Sequence, residues 1–360
     1  MERIGFSLAG EGRGHAARVV ALSQVLAGRF EIVYFCPEPA KDFITKHIPD
    51  AVIEPVPALN FVKNGHGIDY FRTLFATLKT IRSVKSDIRN LSERMRGLGL
   101  TALISDFEPY ASWAAAHCGI PVLNLNHPGV ILKYLSLSPA AWIAQAVAIL
   151  MMPPAQKTLI CSFYRGDVGP IIRRELREAE TVQGDYYLVY AKNSSRERIC
   201  SILERFPGES FRIFPDPEAD FTKALIGCRG VIAPAGHQLL SESLFLGKPV
   251  LAIPQAGQYE QRLNARMLRL SGRGMGTSIR TLEKTLPEFF RRIDDFPAES
   301  KGLESFRFDD ETHRTAGIIA AFAAEYAFAS PGRRRQYNWF HTFQEKLETL
   351  KSLPKKFQLA

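Results

Sequence analysis

Hydrophobic positions in this chain cluster in short blocks, and the blocks alternate with stretches of helical spacing. Residues 3–8 form an apolar run that stops at a glycine-rich turn, residues 16–26 carry apolar side chains at helical intervals, and residues 31–36 form a second run. The pattern predicts strand, helix, strand. It continues with a strand over 101–105 ending at Asp106, a helix over 111–117 and a strand over 121–124. A long basic amphipathic helix is expected over 69–95, with Phe71, Leu74, Phe75, Leu78 and Ile81 on one face. Continuous apolar runs separated by helices are the signature of parallel strands buried on both faces.

A charged segment over 165–180, containing Gly166, Gly169 and Pro170, interrupts this rhythm. It restarts with a strand over 186–190, a helix over 195–205, an apolar run over 211–214 and a helix over 221–227. A strand over 231–233, a helix over 238–246 and a strand over 249–253 follow. The expected fold class is therefore α/β, with two doubly wound, Rossmann-like domains facing a cleft. The first domain is assigned to 1–165, a linker that permits domain closure to 166–183, and the second domain to 184–330. Residues 331–360 form a basic C-terminal helix that either returns to the first domain or faces a membrane.

Composition supports two packed domains: the chain has 360 residues, 46% hydrophobic and 23% charged, against about 100–200 residues for one domain. Forty-six Lys and Arg against 37 Asp and Glu give a net charge of +9, which favours an anionic ligand or surface. Five scattered cysteines without a C-x-x-C pair fit a reducing, cytoplasmic compartment better than a disulfide framework. The opening residues meet glycines and charges at once and read as no secretory signal. An uncharged stretch spans 134–156, but its apolar core over 140–152 is 13 residues long, short of the roughly 20 that span a bilayer. Within 331–360, seven Lys/Arg face two Glu, and Tyr337, Trp339, Phe340 and Phe343 are interleaved with them. These segments suggest a peripheral site on the inner face of a cytoplasmic membrane, although solvated or core-packing helices explain them equally. No nucleic-acid module is recognisable.

Candidate chemistry lies at the turns. G-E-G-R-G-H, residues 10–15, sits between a strand and a helix, where Gly12 and Gly14 let the backbone approach a ligand and the helix start favours anions. Its spacing departs from the dinucleotide fingerprint, so NAD is a weak reading. His15 is placed to act as a general base, and Asp106, at a strand's carboxyl end, to orient it or to cap the next helix. His127, near Asn124 and Asn126, invites the same pair of readings. In the run from Ala233 to Ala265, Gly236, His237 and Gln238 open a helix suited to a diphosphate, and Glu242 presents a carboxylate to vicinal hydroxyls. Glu260 and Gln261 offer acceptor and amide groups after the next strand.

That run reads A-G-H-Q-L-L-S-E-S-L-F-L-G-K-P-V-L-A-I-P, then Y-E-Q-R-L-N-A. It resembles the donor-binding motif of GT-B glycosyltransferases of the family 28 and family 1-like group, which includes the UDP-GlcNAc transferase forming lipid II and the diacylglycerol glycosyltransferases. G-E-G-R-G-H is similar to the N-terminal glycine loop of that group, and S-D-F-E-P (105–109) recurs in a bacterial and archaeal subset. Two departures stand out: Ala235 replaces a glycine, and residues 191–195 lack the glycine of a phosphate loop, leaving Ser194 and Ser195 as modest phosphate contacts. The resemblance implies an inverting transfer from a UDP-linked sugar to an acceptor hydroxyl, lipid-linked if the basic and apolar segments meet a membrane of the cell envelope. His15 would be the base and Asp106 its partner; Gly12, Gly14, Ser194, Gly236, His237 and Gln238 would face the diphosphate. Glu242 would hold the ribose, and Glu260 and Gln261 the donor sugar. No cofactor and no metal are expected, and no D-x-D triplet occurs. A UDP-sugar 2-epimerase and a non-catalytic sugar-nucleotide or lipid-binding module are the competing readings.

Overall fold

A computed structural model describes residues 1–10, 13–58, 63–64, 67–68, 81–134, 138–153, 155–192, 194–297 and 306–327. The strands are β1 (Glu2–Leu8), β2 (Phe30–Cys36), β3 (Val52–Pro55), β4 (Lys63–Asn64), β5 (Gly67–Ile68), β6 (Leu100–Asp106), β7 (Val122–Asn126) and β8 (Lys157–Ile160) in the first half. The second half supplies β9 (Tyr186–Tyr190), β10 (Ser210–Phe214), β11 (Gly230–Ala233), β12 (Val250–Ala252) and β13 (Gly274–Gly276). The helices are α1 (Gly14–Leu26), α2 (Glu38–His47), α3 (Ile81–Arg96), α4 (Pro109–His117), α5 (Pro139–Met151) and α6 (Arg174–Arg177). They continue with α7 (Ser194–Leu203), α8 (Phe221–Gly227), α9 (His237–Phe245), α10 (Tyr259–Leu270), α11 (Leu282–Arg291) and α12 (Thr312–Ala327).

Two parallel sheets result, ordered β3-β2-β1-β6-β7-β8 and β10-β9-β11-β12-β13. This is the doubly wound, two-domain architecture expected from the apolar blocks. β1 shows why the blocks become parallel strands: five consecutive residues, Ile4 to Leu8, are all buried. Ile4, Phe6 and Leu8 pack towards α1, α2 and α12, while Val33, Phe35, Leu100, Leu103 and Val122 face α3 and α4 on the other side. In the second sheet Leu188, Val231 and Val250 face α8, α9 and α10, and Tyr187, Val189, Ile232 and Leu251 face α7 and α11. Helices on both faces leave the central strands no surface for water, which is what continuous apolar strands require.

Each sheet reverses its strand order once, between β1 and β6 and between β9 and β11. At such a switch point the loops leaving two neighbouring strands diverge and open a crevice at the carboxyl ends. The register sets Leu8 beside Asp106, and the Ala9 amide donates to the Asp106 carbonyl at 3.1 Å. Residue 15, one short loop beyond β1, thus starts its helix next to the end of β6.

β3, β8 and β13 are strands that the hydrophobic pattern did not mark: Val52 is 47% exposed, Lys157 and Thr158 are exposed, and β13 is Gly-Met-Gly. Each is an edge strand, where pairing on one side suffices. Of the helix expected over 69–95, the part from Ile81 on forms α3; residues 69–80, with Phe71, Leu74, Phe75 and Leu78, lie outside the described residues, as does the basic stretch 331–360. A further difference concerns the second domain. α12, inside the expected range 184–330, buries Ala316, Ile319, Ala320, Phe322 and Ala323 in the core of the first domain. The chain therefore returns to the first domain by residue 312, before 331, because α12 offers an apolar face that fits beside α1.

If α12 belongs to that core, Ile319→Ala should lower the unfolding free energy by about 2–5 kcal/mol. Exposed Glu325→Ala should stay within about 0.5 kcal/mol of wild type in the same urea titration.

Candidate active site

The first crevice holds a three-residue polar cluster. Arg18 donates to Asp106 through both faces of its fork, Nε to Oδ2 at 3.0 Å and Nη2 to Oδ1 at 2.9 Å. His15 Nδ1 lies 2.9 Å from Asp106 Oδ1. Burial alone would raise the Asp106 pKa, but the Arg18 and His15 charges hold it below its ordinary value, and Asp106 in turn raises that of Arg18. An ionised carboxylate only accepts, so the Nδ1 proton belongs to His15 and the basic lone pair lies on Nε2. The 3.0 Å approach of Arg18 Nη2 to His15 Nδ1 is then two donors converging on one oxygen. Sequence reasoning brought His15 and Asp106 together but missed Arg18, whose signal is its place one helical turn after His15.

The turn after Asp106 is tightly determined. Phe107 adopts φ +61°, a left-handed conformation that a bulky side chain rarely takes, and its ring stacks parallel to the His15 imidazole with centroids 6.4 Å apart. Glu108 caps α4 by accepting from the amides of Tyr110 and Ala111, both at 2.8 Å. Capping of α4 thus falls to Glu108 and not to Asp106, which is free for His15. Burial pushes the Glu108 carboxyl up to about 8 despite those two bonds.

Across the cleft, α9 starts at Gly236 with no side-chain cap bond. Its first-turn amides and positive dipole end form an anion-binding terminus. His237 Nε2 accepts from the Phe163 amide and faces Ser241 Oγ, each at 3.2 Å, so Nδ1 carries the proton, and that buried N–H has no partner. Burial, then the neighbouring His127, keeps His237 well below the ordinary histidine pKa, so the ring is neutral. Gly14 comes so close to α9 that a Cβ there would sit 3.2 Å from the Gln238 Cβ. Gln238 Nε2 donates to the Ile171 carbonyl at 2.9 Å and to Glu242 Oε1 at 3.0 Å, while its buried Oε1 has no partner.

Glu242, expected to face a ligand, is 3% exposed and already paired. Arg173 holds it bidentately, Nε to Oε1 at 2.8 Å and Nη2 to Oε2 at 3.0 Å, and reaches Thr222 Oγ1 with Nη1. Arg173 stands in the charged linker segment, where one arginine among several gave no reason to single it out. Glu260 lies 3.7 Å from His127 Nε2 and within range of the charges on His15, Arg18 and Asp106. Burial raises its pKa, and those cations only partly offset the effect. Gln261 Oε1 accepts from the Gln255 amide at 3.0 Å, which orders the preceding loop. The Ser194 side chain and Gly12 lie outside the described residues, and Ser195 Oγ donates to the Lys192 carbonyl at 2.7 Å.

His127 joins the two crevices. Its ring stacks on His237 with centroids 3.7 Å apart and planes 16° from parallel, while Nδ1 faces the Cys161 carbonyl at 3.1 Å and Nε2 faces Asn264 Oδ1 at 3.0 Å. Burial lowers its pKa to about 3, so the ring is neutral, satisfies one of those acceptors at a time and stacks without charge repulsion. Among the described residues, no group of three or more His, Cys, Asp and Glu is disposed to hold a metal ion.

Two Rossmann-like domains with facing polar clusters at their switch points are the GT-B arrangement, and similar solved structures share that fold. The profile of glycosyl transferase family 1 matches residues 2–216 and 211–294. The chain belongs to that family. It is 24% identical over 380 residues to an uncharacterised glycosyltransferase of Methanosarcina mazei, covering 85% of this chain and 91% of the relative. Similar solved structures include Acinetobacter baumannii MurG (TM-score 0.57, 13% identity, 89% of this chain and 100% of that one). Phytolacca americana UGT2 complexed with UDP-2-fluoro-glucose and pterostilbene has a TM-score of 0.57 at 14% identity, over 90% and 100% of the chains. Streptomyces SsfS6 complexed with thymidine diphosphate has a TM-score of 0.58 at 13% identity, over 89% and 100%.

Two outcomes follow from the buried charges. Arg18→Met strands Asp106 and should cost about 3–5 kcal/mol in chemical denaturation, most of it recovered in Arg18→Met/Asp106→Leu. Glu108 has a pKa raised from 4.5 to about 8, so the unfolded chain releases its proton first and wild type loses stability as pH rises through that window. Glu108→Gln does not titrate; its melting temperature should therefore gain on wild type between pH 5 and pH 8, about the span of the shift.

Proposed function

We propose that this chain transfers a sugar from a UDP-linked donor to an acceptor hydroxyl by inverting displacement. The observation that carries the reading is the His15–Asp106 pair at one switch point, facing across the cleft an uncapped helix terminus and the unpartnered N–H of His237. His15 Nε2 takes the proton as the acceptor oxygen attacks the anomeric carbon, and the bond from that carbon to the diphosphate oxygen breaks with its electron pair leaving on the nucleotide. Asp106, held ionised by Arg18, faces the imidazolium formed at His15. The α9 terminus and His237 Nδ1–H stabilise the leaving diphosphate, a role that otherwise falls to a divalent metal.

Glu242 and Gln238 stand next to that terminus for the ribose, and Glu260 and Gln261 for the donor sugar. Neighbours captured with UDP-2-fluoro-glucose and with thymidine diphosphate support a nucleotide sugar as donor. For the acceptor, α5 supports a lipid-linked hydroxyl at the inner face of the cytoplasmic membrane. It carries no charged residue, and Trp142, Ile143, Ala146, Ile149 and Leu150 form a half-buried apolar face. Among the described residues no helix is long and apolar enough to cross a membrane.

UDP at 100 times its dissociation constant should stabilise wild type by about 2.7 kcal/mol in a melting experiment. The shift should shrink in Glu242→Gln measured against its own ligand-free state. His15→Gln should keep the UDP shift yet lose transfer by about 10²–10⁴-fold. A UDP shift accompanied by epimerised UDP-sugar without acceptor would replace transfer with isomerisation.

A further inference from the structure

Asn264, on α10, is enclosed by polar partners inside the interdomain contact. Its Oδ1 accepts from the Tyr164 hydroxyl and faces His127 Nε2 at 3.0 Å, while its Nδ2 donates to the Ala235 carbonyl at 3.0 Å and approaches Glu260 Oε1 at 3.5 Å. The Tyr164 hydroxyl donates to Oδ1 whichever tautomer His127 takes, and Nδ2 has two acceptors within reach. The amide cannot turn over, because the Ala235 carbonyl only accepts. Glu260 stands one helical turn before Asn264, and both neighbours that reach it, Asn264 Nδ2 and His127 Nε2, fall on the same oxygen, Oε1.

Tyr164 comes from the other domain's side of the contact, in the segment after β8. It is 1% exposed, and its ring is wedged among His127, Tyr134 and Phe163 with centroids 5.8, 6.0 and 4.8 Å away. The hydroxyl's acceptor is Asn264 Oδ1. Burial holds the phenol well above its ordinary pKa, so it stays a donor. Buried chains of this kind transmit orientation, since each bond sets the lone pair or proton that the next one uses.

We propose that Tyr164 is a positioning residue for the donor sugar, setting through Asn264 the direction in which Glu260 presents its carboxylate. The tyrosine touches no nucleotide; it couples the sugar-reading end of the donor site to the first domain. This deepens the proposed function and rests on Glu260 facing the donor sugar.

The test is calorimetric titration of UDP, UDP-glucose and UDP-N-acetylglucosamine into the full-length chain, Tyr164→Phe, Glu260→Gln and the double variant. Tyr164→Phe removes one oxygen and keeps the ring. It should weaken the UDP-sugar that wild type binds by about three- to tenfold, the worth of one hydrogen bond, and leave UDP unchanged. In the Glu260→Gln background it should add nothing. Asn264→Ala should reproduce the same split from the other end of the relay. Equal weakening of UDP and UDP-sugar, no change in either, or a full extra loss in the double variant overturns the proposal. Wild type that binds UDP but neither UDP-sugar removes Glu260 from the sugar and overturns it too. Wild type that binds none of the three instead removes the donor site itself, a failure of the wider reading that is visible before any variant is made.

Discussion

The bidentate pair between Arg18 and Asp106 is the interaction on which the active crevice depends. Both side chains are almost fully withdrawn from water, at 3% exposure each, so neither charge is tolerable there without the other. The pair ties the second turn of α1 to the last residue of β6, two elements that the strand order makes neighbours. It also fixes the carboxylate plane, so that one oxygen faces His15 Nδ1 and Nε2 becomes the basic nitrogen. The left-handed Phe107 and the Glu108 cap follow directly, since the chain must reverse at once while Asp106 points back into the crevice.

The second domain repeats the architecture with a different chemical bias. Among the described residues its switch point presents no carboxylate at the strand end; it offers the open start of α9 and the proton on His237 Nδ1. In the first crevice the Asp106 charge is matched by Arg18, whereas the oriented N–H groups at the start of α9 favour an anion in the second. Under the proposed function that asymmetry gives proton transfer to one domain and the diphosphate to the other. Arg173 and Glu242 add a second buried pair, which fastens the linker segment around Ile171 onto α9. The two domains are thus joined by polar contacts as well as by chain: Arg173 with Glu242, the Phe163 amide with His237, and Tyr164 with Asn264.

Much of this was legible from residue order. Blocks such as I-G-F-S-L and V-I-A marked buried strands because a parallel strand with both faces covered needs no polar position. G-x-G-H after the first strand and A-G-H-x-x-x-x-E after a later one marked ligand-facing helix starts because a glycine-rich turn there serves backbone approach. Asp106 was marked by its place at a strand end. Edge strands β3, β8 and β13 were not, since an exposed or glycine-rich segment pairs on one side without an apolar signature.

The sequence by itself determined the α/β class, the two-domain division and the turns that carry His15, Asp106, His237, Glu242 and Glu260, because periodicity and turn chemistry are local properties. Only the tertiary structure decided who pairs with whom. Arg18 and Arg173 are two of many arginines until strand order and domain contact bring them against Asp106 and Glu242. Tyr164 and Asn264 lie 100 positions apart, and α12 lies beyond the second domain it seemed to complete. Those partnerships arise from burial, which makes an unpaired charge costly and draws enclosed charges towards complements wherever along the chain they lie.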